Sequence, residues 1–360
     1  MSSVNQDPVP VPSDPPGRWI TGLSAEMSLH DALELIFRQR CQGVLYYLPR
    51  AADRAGENSD HVHRLRVASR RLAAVLDVLA EGFPEAPRQD LLAIVGKIRR
   101  TCGEARDLDV RRIFLEGLLK QASVEDAGVV ELLCEKIVCR RVRAQKDVRR
   151  RLAKLETRFH EASAALMASL HAVHQEASVD FGSFGQTGRR ILAKELSALW
   201  DLADRDLESA ATLHQLRIAV KHLRYGFEVF VPALDSALHD DFYPQLEEIQ
   251  KLLGEVHDAD EASRDLRRTK KKWKSWRGTR KWERRGLAGF RWGELRSALD
   301  AVLLAYAQQA DHARTEFLDL WPGFSGDSFR RPIAELLAPG ASESSALGGP
   351  AVIHPAPSGA

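Results

Sequence analysis

The sequence predicts an all-α protein built from an internal repeat, and three observations carry that reading. Apolar residues recur at three- and four-residue spacing along most of the chain, whereas the alternation of strands never lasts more than a few positions. An unusual motif occurs twice, 151 residues apart: Val62-His63-Arg64-Leu65-Arg66-Val67-Ala68-Ser69-Arg70-Arg71-Leu72 returns as Leu213-His214-Gln215-Leu216-Arg217-Ile218-Ala219-Val220-Lys221-His222-Leu223. The same offset, without a gap, carries Gly103-Glu104-Ala105-Arg106-Asp107-Leu108-Asp109 onto Gly254-Glu255-Val256-His257-Asp258-Ala259-Asp260. Two motifs kept in one register imply two pseudo-symmetric halves, about 23–180 and 186–331.

The elements follow in order. Residues 1–22 are polar and proline-rich and read as a disordered or extended tail. Helical periodicity predicts helices at about 28–48, 60–79, 87–101 and 108–121, then two long ones near 124–155 and 156–177. The glycines of Phe181-Gly182-Ser183-Phe184-Gly185 interrupt the period and mark the boundary between halves. The second half predicts helices at about 188–205, 211–230, 240–253, 259–276 and 293–319. From about 339 to 360 the chain is rich in Ala, Gly, Ser and Pro and reads as a flexible tail.

Composition allows one large core or two ordinary ones: 360 residues, 44% hydrophobic. The net charge of +2 hides strong local asymmetry, because basic residues concentrate at 63–71, 97–112, 136–158 and 264–291. Cys41, Cys102, Cys134 and Cys139 show no metal-ligand or redox spacing and read as free thiols in a reducing compartment. No secretion-type apolar core opens the chain, and no run of about 18 apolar residues occurs, so a cytoplasmic protein without a membrane span is expected.

The repeated basic helix carries the functional signal. At about 100° per residue, the face that starts at His214 holds Arg217, Lys221, Arg224 and Tyr225, with Leu216, Ile218, Ala219, Leu223 and Phe227 assigned to the core side. The first copy places His63, Arg66 and Arg70 on its polar face, opposite Leu65, Ala68, Leu72, Val75 and Leu79. Arg71 and His222 sit at the edges. Charge runs are usually solvated faces. Here the stripe holds almost no acid at helical spacing, both copies repeat it, and like charges clustered on a helix cost stability unless an anion offsets them. Lys97, Arg99, Arg100 and Lys251 extend the cationic set, and Arg106 and His257 lie within the second motif. Of that motif's acids, Asp107 or Asp258 is expected to cap a helix, and Asp109 and Asp260 to accept from arginines.

At these residues the chain resembles the CHAD domain, the conserved-histidine α-helical domain. The resemblance rests on His-x-Leu-Arg-(Val/Ile)-Ala-x-(Arg/Lys)-(Arg/His)-Leu at 63–72 and 214–223, supported by Gly-Glu-x-x-Asp-x-Asp at 103–109 and 254–260, and spans about 23–331. It implies two similar helical bundles facing each other across a basic cleft or pore that binds inorganic polyphosphate, with possible targeting to polyphosphate granules. No catalytic tunnel sequence accompanies it, so the stand-alone form is expected, with no cofactor. The chain departs from the pattern at Ala73 against Arg224, at Arg64 against Gln215, and at His222, where arginine is more usual.

Two rivals remain. His63, His214, His257, Glu104, Asp107 and Asp109 are metal-competent types, as a metal-dependent phosphohydrolase or histidine phospho-acceptor would require. Their arginine neighbours disfavour a divalent cation, and no nucleophile–base pair is recognisable. The segment from Thr269 to Trp282 interleaves cations with Trp273, Trp276 and Trp282, as an RNA-stacking surface does, although at helical spacing these tryptophans read more simply as core anchors beside basic neighbours. The basic run Arg140, Arg143, Lys146, Arg149, Arg150 and Lys154 reads equally as a solvated face or an extension of the polyanion surface.

Overall fold

The computed structural model describes residues 12–338 apart from 16, 55–59, 122–123, 177–181, 204 and 208, with backbone alone at 124–126 and 174–176. The expected tail at 339–360 and residues 1–11 of the N-terminal one lie outside the described residues. Among the described residues there is no strand, only an isolated bridge between Ser28 and Ser183. The fold is all-α.

Helix α1 (Leu29–Asp53) starts at Ser28, whose hydroxyl accepts from the Asp31 N–H at 3.1 Å. It is followed by α2 (Asp60–Val78), α3 (Glu85–Thr101), α4 (Gly103–Leu119) and α5 (Val124–Glu176). The remainder is α6 (Phe184–Ala203), α7 (Ala210–Phe230), α8 (Tyr243–Trp276), the short α9 (Arg280–Arg284), α10 (Trp292–Ser325) and α11 (Asp327–Leu336).

Several expectations change. The pair near 124–155 and 156–177 is one helix of 53 residues, about 80 Å long at 1.5 Å per residue. Nothing in it after Gly128 is a helix breaker. The pair at 240–253 and 259–276 is likewise one helix, so Gly254 lies mid-helix, where the glycine penalty of about 1 kcal/mol does not stop propagation. Asp258 is therefore interior to α8, and Asp107 sits in the second turn of α4; neither caps a helix. Helix α6 starts at Phe184, earlier than its glycines suggested. Gly185 is there for close packing, since a Cβ would fall 2.8 Å from that of Ala25. Helices α9 and α11 were not expected. The extended N-terminal tail stops short of Arg18: Ile20 is buried, and Arg18 pairs with Glu247 at 3.0 Å.

The chain forms two compact units, each drawing on both sequence halves. The first comprises residues up to Arg106, Ala144–Glu248 and Pro322 onward. Within it α2 packs on α1, α3 and α7, while α6 packs on α7. Val62, Leu65, Leu72, Val75 and Leu76 of α2 and Leu213, Leu216, Val220 and Leu223 of α7 are buried, as the periodicity implies. Ile218 is not: it lies four residues after His214, on the polar side, and is 37% exposed. The second unit, Asp107–Arg143 and Ile249–Trp321, has its own core of Leu115, Val129, Leu133, Leu266, Trp273, Leu295, Leu299 and Tyr306. Trp273 is thus a core anchor, with Trp276 and Trp282 packed against the same cluster.

In the first unit one carboxylate ties the site-bearing helices together. Glu228 of α7 is fully buried. It accepts from Nη1 of Arg224 at 2.6 Å, from Nε of Arg71 on α2 at 2.7 Å, and from the Tyr243 hydroxyl at 2.8 Å. Arg40 of α1 donates to its backbone carbonyl at 3.3 Å. Burial alone would raise the carboxyl of Glu228, but the guanidiniums of Arg224, Arg71 and Arg40 outweigh it and hold the carboxyl below its usual range. Its contribution is complete at neutral pH and is lost as acid takes the pH below the ordinary carboxylate range. Glu228→Ala leaves the buried guanidinium of Arg224 and the partly buried one of Arg71 without their counter-charge and is expected to cost about 3 kcal/mol in urea unfolding at pH 7. A loss below about 1 kcal/mol would show that the network is not what holds α2 to α7.

Candidate functional site

Both copies of the basic helix, α2 and α7, lie in the first unit and pack on each other. The polar face of α2 centres on His63. Arg66 and Arg70 lie to one side of it, Arg64 and Arg71 to the other.

On the Arg66 side the cations converge. Arg66, half-buried, donates through Nη1 to the Arg99 carbonyl at 3.1 Å. The Lys221 ammonium is lowered by burial and then by Arg217, Arg99 and Arg70, against the pull of Asp77. Arg70 has a buried Nε with no hydrogen-bond partner. The His63 imidazole is pushed down to about 4 by burial, by Arg106, and by Arg70 and Arg66, against the pull of Asp60. His63 is therefore neutral at pH 7, with ring nitrogens that include one donor. His222 is lowered by burial and by Lys221, against Glu195 and Asp77. Burial also raises the carboxyl of Asp77, which His222, Arg88, Arg99 and Lys221 pull back. Cations drawn from α2, α3, α4 and α7 thus act on one another within this unit, at a cost an anion would offset.

On the other side is a cavity of about 350 Å³ lined by His63, Arg64, Arg71, Arg40, Tyr47 and Asp60, among others. Arg40 and Arg71 reach it from the Glu228 network. Arg40 is 5% exposed, its Nε lacks a hydrogen-bond partner, and burial, only partly opposed by Glu228, lowers its guanidinium to about 10. Arg40, Arg71 and Arg224 gather on Glu228, and Arg224 also lies 3.8 Å from Glu247, which pairs with Arg18, so four guanidiniums meet two carboxylates and the network holds excess positive charge beside an open volume.

The structure thus brings together His63, Arg66, Arg70, Arg99, Arg106, Arg217 and Lys221, with His222 at the edge. His214 is exposed near the start of α7, on the same side as Arg217. Arg224 and Tyr225 are buried, the guanidinium 4.8 Å from its neighbour's ring, and Arg224 serves Glu228 rather than an open surface. Lys97 and Arg100 are exposed on α3. Lys251 and His257 belong to the second unit. There Asp109 accepts from Nε of Arg141 at 2.7 Å, as its arginine-holding role anticipates, whereas Asp260 is exposed.

The sequence reading missed Glu228, Arg40, Tyr243 and Asp77. Glu228 was visible as the i+4 partner of Arg224. Arg40 was visible as a lone cation within the apolar spacing Ile36, Phe37, Cys41 and Val44. Asp77 and Tyr243 carried no local signal. Among the described residues no group of three or more His, Cys, Asp or Glu side chains is arranged to hold a metal ion, and no helix is long and apolar enough to cross a membrane.

The family model described as the CHAD domain matches residues 36–267. Among solved structures, the CHAD domain from the plant Ricinus communis is 21% identical, with a TM-score of 0.63 over 85% of this chain and 97% of that one. PptA from Streptomyces chartreusis is 18% identical, with a TM-score of 0.59 over 82% of this chain and 99% of that one. No curated protein sequence matches.

A histidine held at about 4 when folded and at its ordinary 6.5 when unfolded supports the fold fully above pH 6.5. That support is lost as the pH falls towards 4, because the unfolded chain takes up the proton first. Urea midpoints of His63→Gln are expected to fall less between pH 7 and pH 5 than those of the parent. Equal falls would show that His63 is not held neutral.

Proposed function

The chain belongs to the CHAD domain family, and from that premise we propose that it binds inorganic polyphosphate along the cationic faces of α2 and α7. One observation carries the reading: Arg70 and Lys221, equivalent positions of the two repeats, are electrostatic neighbours, with Arg99 and Arg217 acting on Lys221 as well. Polyphosphate brings about one negative charge per phosphate and no bases to read. Its receptor needs closely spaced cations on rigid helices. Arginine forks supply paired donors to phosphate oxygens, lysine a point charge, and a neutral His63 an N–H.

The same contacts support a twofold relation between the halves. Position 70 meets its own counterpart, 221. Arg71 pairs with Glu228, and the reciprocal positions, His222 and Asp77, also act on each other. Residue i meeting j while j meets i is the signature of a twofold. In this reading the repeat builds one basic cleft from two helices, with unequal halves: Arg71 and Glu228 form an ion pair, whereas at the reciprocal positions His222 is lowered by burial and only partly drawn back by Asp77.

In this reading His63, Arg66, Arg70, Arg217, Lys221 and His214 contact the chain of phosphates. Arg106 extends the surface from α4, and Lys97 and Arg100 from α3. Arg71, Arg224 and Tyr225 set the position of α2 against α7. Lys251 and His257 are the repeat equivalents of Arg100 and Arg106 and lie in the second unit. The protein acts as a receptor rather than a catalyst, and in a cell such a receptor would be retained at polyphosphate granules in the cytoplasm.

Arg70→Ala combined with Lys221→Ala is expected to weaken polyphosphate binding at least tenfold, about 1.4 kcal/mol, while leaving helicity intact. Unchanged affinity in a helical, monodisperse variant would place the site elsewhere.

A further inference from the structure

The second unit holds a larger cavity, about 640 Å³, which the polyphosphate reading does not use. Four of its cations are held by neighbours. Asp265 accepts from both Arg111 and Arg140, the latter at 3.1 Å. Lys136 donates to the Arg285 carbonyl at 2.6 Å and lies 5.6 Å from the centre of the Trp273 ring. The Arg285 guanidinium lies 5.5 Å from the centre of the Trp276 ring. Exposed Arg143, Lys272 and Arg284 also line the cavity, and Asp265 is its one acidic lining residue among the described residues.

The cavity also has an apolar wall. Leu133, Leu266 and Val302, all buried, form it with Trp273, Trp276 and Tyr306. A bare inorganic phosphate chain gains nothing from such a wall, whereas an anion with a planar body buries that body there and presents its phosphates to the cations. The volume is that of a small-molecule site and too small for a folded nucleic acid.

We propose that this cavity binds a nucleoside di- or triphosphate, the base against the Trp276 and Leu266 wall and the phosphates among Lys136, Arg143, Lys272 and Arg284. The site is separate from the α2/α7 surface and does not depend on what binds there.

Exposed Cys139 lines the same cavity, while Cys41 and Cys102 are buried, so alkylation of Cys139 reports occupancy directly. The probes are ADP, adenosine and tripolyphosphate on the full chain, with alkylation at Cys139 followed by peptide mass spectrometry. Saturating ADP is expected to slow alkylation at least threefold, at a midpoint concentration at least tenfold below that of either other probe. Lys272→Glu with Arg284→Glu, both on exposed positions, is expected to abolish protection while polyphosphate binding persists. Arg70→Ala with Lys221→Ala is expected to leave ADP protection unchanged. Equal protection by tripolyphosphate and ADP would overturn the assignment in favour of an inorganic polyanion pocket. No protection by any probe, or protection that survives the double Glu variant, would overturn it as well.

Discussion

The buried carboxylate of Glu228 is the constraint on which the first unit depends. A lone ionised group in that position would be prohibitive, and so would the guanidiniums of Arg71 and Arg224 without it. Together with the Tyr243 hydroxyl they form a closed set of charge-assisted hydrogen bonds that joins α2, α7 and the start of α8, with α1 joined through Arg40. The geometry of the set fixes the rotation of α2 about its axis. That rotation decides where His63, Arg66 and Arg70 point, because all three lie on the same polar face as Arg71.

The rest follows from charge imbalance. Arg18, Arg40, Arg71 and Arg224 outnumber Glu228 and Glu247, and nearby Arg70, Arg99 and Arg217 act together on Lys221. Such a surface stores repulsion in the free state, which the proposed polyanion would release on binding. The imidazole of His63 answers the same field by staying neutral, which removes one charge from a crowded face and leaves its hydrogen-bonding capacity in place.

Much of this was legible in the sequence, and the limits have physical causes. The repeat, the all-α class and the core positions of α2 followed from spacing, because burial imposes a period that survives in the sequence. Helix ends were legible where a side chain caps them, as at Ser28, and misplaced where glycine was taken as a stop. Gly185 answers to the backbone of Ala25, and Gly254 lies within a continuous helix; both are tertiary circumstances that no local pattern encodes. The cationic members of the site were visible because like charges repeated at helical spacing are costly and therefore conspicuous. Their organiser was overlooked because a single carboxylate four residues after an arginine is a common surface pattern, and only packing reveals that Glu228 is buried. The tryptophans of the basic segment show the converse: Trp273 anchors a core, so that segment lines a cavity from its apolar side rather than presenting stacked rings to solvent.

The central claim is that fixed side-chain cations, not a bridging metal, hold the phosphate chain. Titration calorimetry with polyphosphate of one defined length, at two salt concentrations and in excess chelator, tests it most directly. The account predicts binding that persists in chelator and weakens with salt, log affinity falling against log salt by about 0.7 per phosphate contacted, as for single-stranded nucleic acids. Binding that vanishes in chelator, or that is indifferent to salt, would contradict it.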